Sequence, residues 1–278
     1  MKYFFVFVFL GALFVPVEGQ GGIIRTELVC RSHVGQDGNI DIDGEIVNTG
    51  DITAYHLIIT VFIGDLAKKI DDLGDNQPGG KIGFKCRYTN PDLKPGRYIA
   101  IVRVNFAEQV GIQHRAYHFL PIAYQVDRTE DVQPGVSIDV EPPRFNSKVI
   151  RGNKGKIGLI LTNRTSRMVS SAASIYLPDG FHVPKDTIRL KLMPGERMKI
   201  QACLTMDRTI RQGGTYFVVV RYDQNGVHHS QHVEGKICVE ERPVYFWWYV
   251  LVGSIGLVTL FVVTYYLNRV SSPLKLIL

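Results

Sequence analysis

Between residues 25 and 240, apolar and polar positions alternate singly along the chain. Ile40, Ile42, Gly44 and Ile46 are separated by Asp41, Asp43 and Glu45, the period-two pattern of a strand with one wet face. Residues 55–63, 81–88, 98–106 and 114–124 predict further strands, and no stretch of this region keeps a 3.6-residue apolar period. Turn residues punctuate the runs: Asn48-Thr49-Gly50, Pro78-Gly79-Gly80, Pro95-Gly96, Pro178-Asp179-Gly180, Pro194-Gly195 and Asn225-Gly226. Many short strands with regular turns predict a sandwich or a barrel.

The two ends read differently. Residues 3–14 form an apolar run after Lys2, and Val17-Glu18-Gly19 places a small residue where a signal peptidase cleaves. Residues 244–267 carry no charge, and a bilayer core needs about 20 apolar residues as helix. Trp247, Trp248 and Tyr249 would sit at one membrane interface, and Tyr265 and Tyr266 at the other. Arg269 and Lys275 follow the run, whereas Glu240 and Glu241 precede it, so positive-inside predicts that the bulk of the chain lies outside the cytoplasm, periplasmic or at the cell surface.

The second half repeats the first. Pro78-Gly79 and Pro194-Gly195 are 116 residues apart, and Gly96-Arg97-Tyr98 matches Gly214-Thr215-Tyr216 at an offset of 118. Such drift fits loop-length changes between two copies of one domain. Gly-x-Tyr opening a strand is also the pattern of a tyrosine corner, which makes Tyr98 and Tyr216 candidates for that role. The expected fold is therefore all-β: two tandem Ig-like antiparallel β-sandwiches plus one C-terminal transmembrane α-helix. Its segments are a signal peptide 1–19, a first sandwich 20–126, a linker 127–135, a second sandwich 136–242, a membrane helix 244–267 and a cytoplasmic tail 268–278. Stacked end to end, two such domains would reach roughly 70 Å from the bilayer.

The turn residues also carry a family resemblance. Asn48-Thr49-Gly50, followed by a Pro-Gly turn and Leu93-Lys94-Pro95-Gly96-Arg97-Tyr98, resembles the cell-adhesion-related (CARDB-type) sandwiches of prokaryotic envelope proteins. Leu161-Thr162-Asn163, Leu177-Pro178-Asp179-Gly180-Phe181, Leu192-Met193-Pro194-Gly195-Glu196 and Gly214-Thr215-Tyr216 resemble the sandwich modules appended to α-galactosidases. The resemblance implies a fold and no catalytic residue.

One feature goes beyond fold. If Tyr98, Ala100, Val102 and Val104 face the core, Ile99 and Ile101 face outward, and the repeat turns Phe217 and Val219 outward too. Ile58 and Phe62 do the same for residues 55–63. An antiparallel sandwich normally keeps one face wet, so an apolar outer face predicts a cover. The cover is either a partner protein, with these six residues as contacts, or the neighbouring domain or a long loop.

Candidate chemistry is sparse. Alternation turns Cys30 and Cys86 inward, which leaves open a bridge between them or two buried thiols, and turns Cys203 and Cys238 outward. His228 and His232 lie on one predicted strand about 13 Å apart, too far to share a metal ion, and His114 and His118 have the same spacing. Solvated histidines are the expectation. The acidic run Asp71-Asp72-Leu73-Gly74-Asp75-Asn76 lacks the terminal bidentate glutamate of a calcium loop. Asn163-Arg164-Thr165 is a glycosylation triplet. The net charge of +6 is spread without a dense basic run, which argues against nucleic acid. No cofactor, metal, catalytic residue or small-molecule ligand is expected. The expected function is a non-enzymatic, membrane-anchored scaffold or accessory subunit contacting the bilayer and other membrane or envelope proteins. A glycan- or wall-polymer-binding module is the alternative, and a metal-handling domain a third.

Overall fold

The structure is a computed structural model that describes residues 24–126, 135–146, 154–207, 210, 212–240 and 246–270. The expected signal peptide, most of the linker and most of the tail lie outside the described residues. In chain order the strands are β1 (Thr26–Val34), β2 (Ile40–Asn48), β3 (Tyr55–Ile63), β4 (Leu66–Ile70), β5 (Lys81–Tyr88), β6 (Gly96–Ala107) and β7 (Gln113–Tyr124). There follow β8 (Val136–Glu141), β9 (Arg144–Asn146), β10 (Lys154–Asn163), β11 (Val169–Tyr176), β12 (Phe181–His182), β13 (Thr187–Leu192) and β14 (Arg197–Met206). The last are β15 (Thr215–Gln224), β16 (Val227–Lys236) and β17 (Cys238–Glu240), before the helix α1 (Phe246–Val270).

Two hydrophobic cores result. In the first, sheet β1-β2-β5 packs on β4-β3-β6-β7 and encloses Ile40, Ile42, Ile46, Leu57, Ile59, Val102 and their neighbours. In the second, sheet β12-β14-β10-β8 packs on β13-β11-β15-β16 around Ile157, Leu159, Leu161, Leu204 and Tyr216. A short parallel pairing of β16 with β6 joins this half and β4-β3-β6-β7 into one eight-stranded sheet. Alternation sets which residues go in: along β2, buried Ile40 and Ile42 flank half-buried Asp41. Within α1, residues 248–267 are apolar and exposed throughout, with a mean hydropathy of 2.1, so this segment is a candidate membrane span. Trp248, Tyr249, Tyr265 and Tyr266 are all exposed on it.

The internal repeat persists in hydrogen-bond detail. Asn48 and Asn163 each close a strand and are fully buried. Asn48 Oδ1 accepts from Gly50 N–H while its amide donates to the Ile52 and Asn76 carbonyls. Asn163 Oδ1 accepts from Thr165 N–H while its amide donates to the Arg167, Leu192 and Met193 carbonyls. Each asparagine also donates its backbone N–H across to a Pro-Gly turn, at the Gly80 and Glu196 carbonyls. In both turns the glycine has positive φ (Gly79 at 74°, Gly195 at 71°), and the residue after it bonds back three positions, as a type II turn requires. The asparagine thus supplies the hydrogen bonds that three converging loops cannot make among themselves.

The cysteine alternatives separate on register. Cys30 pairs with Gly44, and Cys86 with Ile42, so β2 lies between the two thiols and they are displaced along it as well. Strands are about 4.8 Å apart, which puts the Cα atoms beyond the roughly 7 Å limit for a bridge. Of the two alternatives, the structure takes two free thiols. Burial pushes the Cys30 thiol up to about 12, and a β-carbon at Gly44 would clash with both the Cys30 sulfur and the Phe84 ring.

The tyrosine corners also separate. Tyr98 Oη donates to the Lys94 carbonyl at 2.9 Å, four residues upstream. Tyr216 is fully buried, but its hydroxyl has no hydrogen-bond partner among the described residues and its ring fills the space left by Gly235. It is a core residue and not a corner.

Removing either asparagine side chain leaves several buried backbone groups unpaired, at about 1–3 kcal/mol each. Asn48→Ala and Asn163→Ala should each cost about 3 kcal/mol in urea titrations of the full-length protein. For the same reason, peptide mapping of the folded protein should find the Asn163 amide unmodified despite its acceptor triplet. A glycan on Asn163 in the folded protein, or a neutral alanine variant, would contradict the role given to this residue.

Candidate functional site

The six outward-facing apolar residues largely meet each other. Ile99, Ile101 and Val219 are buried in a third hydrophobic cluster, with Phe62, Tyr117, Phe119 and Tyr176 packed against it. Phe217 lies 4.4 Å from Phe119, ring centroid to centroid. The outer face of one sandwich therefore covers the outer face of the other. The candidate partner contacts Phe62, Ile99, Ile101, Phe217 and Val219 form an intramolecular seam, because the second domain supplies the cover closest at hand. Ile58, on the same face, is half-buried and outside this cluster.

Both ends of the seam are polar. At one, the first two residues of β6 pair in parallel with β16, Gly96 with His228 and Arg97 with His229. This close approach needs glycine, since a β-carbon at position 96 would overlap the His228 backbone. His228 N–H donates to the Pro95 carbonyl at 2.8 Å, and its ring stacks on Tyr98 at 4.1 Å. Lys94 Nζ lies 2.6 Å from Asp223, and Arg221 Nη1 donates to the Gly64 carbonyl at 2.6 Å. At the other end, His114 is held between Glu108 at 2.8 Å and Asp179 at 3.0 Å, and Arg115 N–H also donates to Asp179. An exposed ion pair such as Lys94–Asp223 contributes at most about 1 kcal/mol. Burying each of Ile99, Ile101 and Val219 contributes about 1.5–3 kcal/mol, so apolar burial dominates the seam and the polar contacts fix its register.

The histidines are accordingly not the solvated residues expected. His228 Nδ1 lies 2.8 Å from Asp223 Oδ1 and its Nε2 lies 2.8 Å from Ser230 Oγ; its side chain is only 13% exposed. His229 stacks on Tyr222 and His232 on Phe119. The alternation of 228–232 does not signal this, because His228 and His232 gain contacts from the other sandwich, at Pro95, Tyr98 and Phe119, and His229 stacks on the neighbouring strand β15. Among the described residues no three His, Cys, Asp or Glu side chains approach closely enough to hold a metal ion. The acidic run 71–76 serves the backbone: Asp72 Oδ1 accepts from Gly74 N–H and Asp75 Oδ1 from His56 N–H at a bulge in β3.

Two cavities border the seam. A cleft of about 560 Å³ lies between the sandwiches, lined among others by Phe62, Arg103, Arg115, Tyr176, Asp179 and Asp186. The Arg103 guanidinium sits 5.0 Å over the Phe62 ring with its buried Nε unpartnered among the described residues. A second hollow of about 360 Å³ is lined by Arg97, Tyr98, Pro121 and Ser230.

Burial holds His228, His229 and His232 below the ordinary imidazole value of 6.5. Burial also works against the Asp223 carboxylate, but hydrogen bonds from Lys94 and His228 bring it below the ordinary carboxylate value. With the histidines held neutral, the unfolded chain binds protons more readily than the folded one, so stability is full above pH 6.5 and falls as the pH drops below it. His228→Gln should cost about 2 kcal/mol at neutral pH and make the slope below pH 6.5 shallower, as read by urea titrations across pH. An unchanged slope would remove His228 from the seam's proton balance.

No family model matches the chain, and no curated protein matches it. Among solved structures, a FixG-related protein from Vibrio parahaemolyticus aligns at 15% identity over 39% of this chain and 99% of its own, with a TM-score of 0.29. The native conformation of Escherichia coli alpha-2-macroglobulin aligns at 10% identity over 78% of this chain and 17% of its own, with a TM-score of 0.33. A protein from Porphyromonas gingivalis W83 aligns at 10% identity over 77% of this chain and 99% of its own, with a TM-score of 0.32. At these scores the likenesses carry no functional argument, and they do not single out the CARDB-type family.

Proposed function

We propose that the chain is a membrane-anchored, non-enzymatic scaffold or accessory subunit of an envelope assembly, with its two sandwiches outside the cytoplasm. The observation that carries the reading is the pairing of one exposed apolar helix with a rigid, doubly cored β body whose chemistry-bearing side chains are spent on holding it together. Helix, leader and charge asymmetry supply the anchor and its orientation. The CARDB-type resemblance supports an interaction role. Because the apolar sheet faces are consumed by the seam, partners would be met through loops and exposed edges. Protease added to intact spheroplasts should digest residues 20–240 and spare the tail; protection of both sandwiches would overturn the topology.

A second reading is favoured by one observation. Ser230, His228 and Asp223 are joined by the hydrogen bonds of an acyl-transfer triad, with Ser230 facing a hollow. The scaffold reading is preferred because His228 also joins the sandwiches, through its N–H to the Pro95 carbonyl and the Tyr98 ring over its face. A fluorophosphonate probe decides between the two: the scaffold reading predicts no label on Ser230, and labelling abolished by His228→Gln would establish the triad.

A further inference from the structure

We propose that the hairpin between β6 and β7 is a second membrane contact, setting Val110 and Ile112 into the phospholipid interface beside the helix; this rests on the anchored reading above. Val110 is 78% exposed and Ile112 55% exposed, both large apolar side chains at the tip of one turn. The turn is closed by Glu108 N–H to the Ile112 carbonyl and Gly111 N–H to the Glu108 carbonyl, with Gly111 at φ 83°. The two side chains are therefore presented by a built structure.

Two independent observations aim this tip at the end of the body from which the chain leaves for the helix. The first is register. β6 and β16 start level and run parallel, with Gly96 paired to His228. β6 then continues to Ala107 while β16 stops at Lys236. At about 3.3 Å per residue, the end of β6 lies roughly 10 Å further along their common direction. The second is contact. His114 and Arg115, just past the tip, bind Asp179 in the turn between β11 and β12. That turn adjoins Gly214 through Pro178, and Gly214 accepts the hydrogen bond of Ile237, next to β17. β17 ends at Glu240, and six residue steps later α1 begins, a span of at most about 20 Å even when fully extended. The tip is thus held at the level where the chain approaches the bilayer.

Charge supports the same occupant. Glu108, the acid within the turn, is folded back onto His114 and is 26% exposed. Asp51 borders the hollow beside Val110 and limits penetration to the headgroup–acyl boundary. Two apolar residues on a rigid turn, beside a helix that already fixes the protein at the surface, suit shallow lipid insertion. A protein partner would need a wider apolar patch than this turn offers.

The test uses full-length protein in phosphatidylcholine vesicles with brominated acyl chains, which quench tryptophan on contact. The wild type carries two tryptophans, Trp247 and Trp248, both in the helix, so its emission reports the anchor. A variant with both replaced by phenylalanine and Val110→Trp added reports the hairpin, and Ile112→Trp in the same background repeats the measurement should the first variant fold poorly. The proposal expects bromine to quench the hairpin tryptophan as well as the wild-type ones. Quenching of the wild type with an unquenched hairpin tryptophan would overturn the hairpin contact and leave the anchor standing, and a protein neighbour for the tip would give this same result. Loss of quenching in both would overturn the anchored reading itself.

Discussion

Strands β3, β6 and β15 are apolar on both faces, so each sandwich would present a hydrophobic outer sheet to water if it stood alone. Packing the two sheets together removes that cost, and the rest of the architecture follows from it. The domains lie alongside each other, not end to end as two tandem modules would suggest, so the body is not two domain lengths long. The polar contacts at each end of the seam then act as registration. The His228 cluster sets the start of β6 against the start of β16, and Asp179 ties the β6–β7 hairpin to the turn before β12.

Much of the fold was legible because it depends on local rules. Alternation fixes which residues of β2 and β5 are buried, and Pro-Gly pairs fix the turns that Asn48 and Asn163 tie down. Parity was also enough to expose the two-faced strands and to list their outward residues. It could not name the cover, because which surface meets Ile101 depends on the relative placement of domains more than a hundred residues apart. The histidines failed for the same reason: His228 looks like a solvated strand residue until Tyr98 and Pro95 of the other domain arrive. Tyr98 and Tyr216 are alike in sequence, yet only Tyr98 finds an upstream carbonyl, so a shared motif does not guarantee a shared hydrogen bond.

The arrangement has a consequence for how such a chain could work. A two-domain protein with an open interface bends, and its domains sample many orientations. Here a continuous apolar seam and polar contacts at both ends leave a single body, with the side chains most suited to chemistry built into it. On the anchored reading proposed above, such a body favours fixed positioning over long reach.

The central claim is that the sandwiches are locked side by side through this seam. Lys94 and Asp223 come from different domains, lie 2.6 Å apart and are accessible to reagent, with side chains 61% and 43% exposed. Lys199 and Glu141, also 2.6 Å apart, belong to the second sandwich alone and serve as an internal control. Zero-length carbodiimide cross-linking of the protein in its membrane, read by mass spectrometry, should recover both linked peptide pairs. Recovery of the Lys199–Glu141 link without the Lys94–Asp223 link would contradict the side-by-side arrangement.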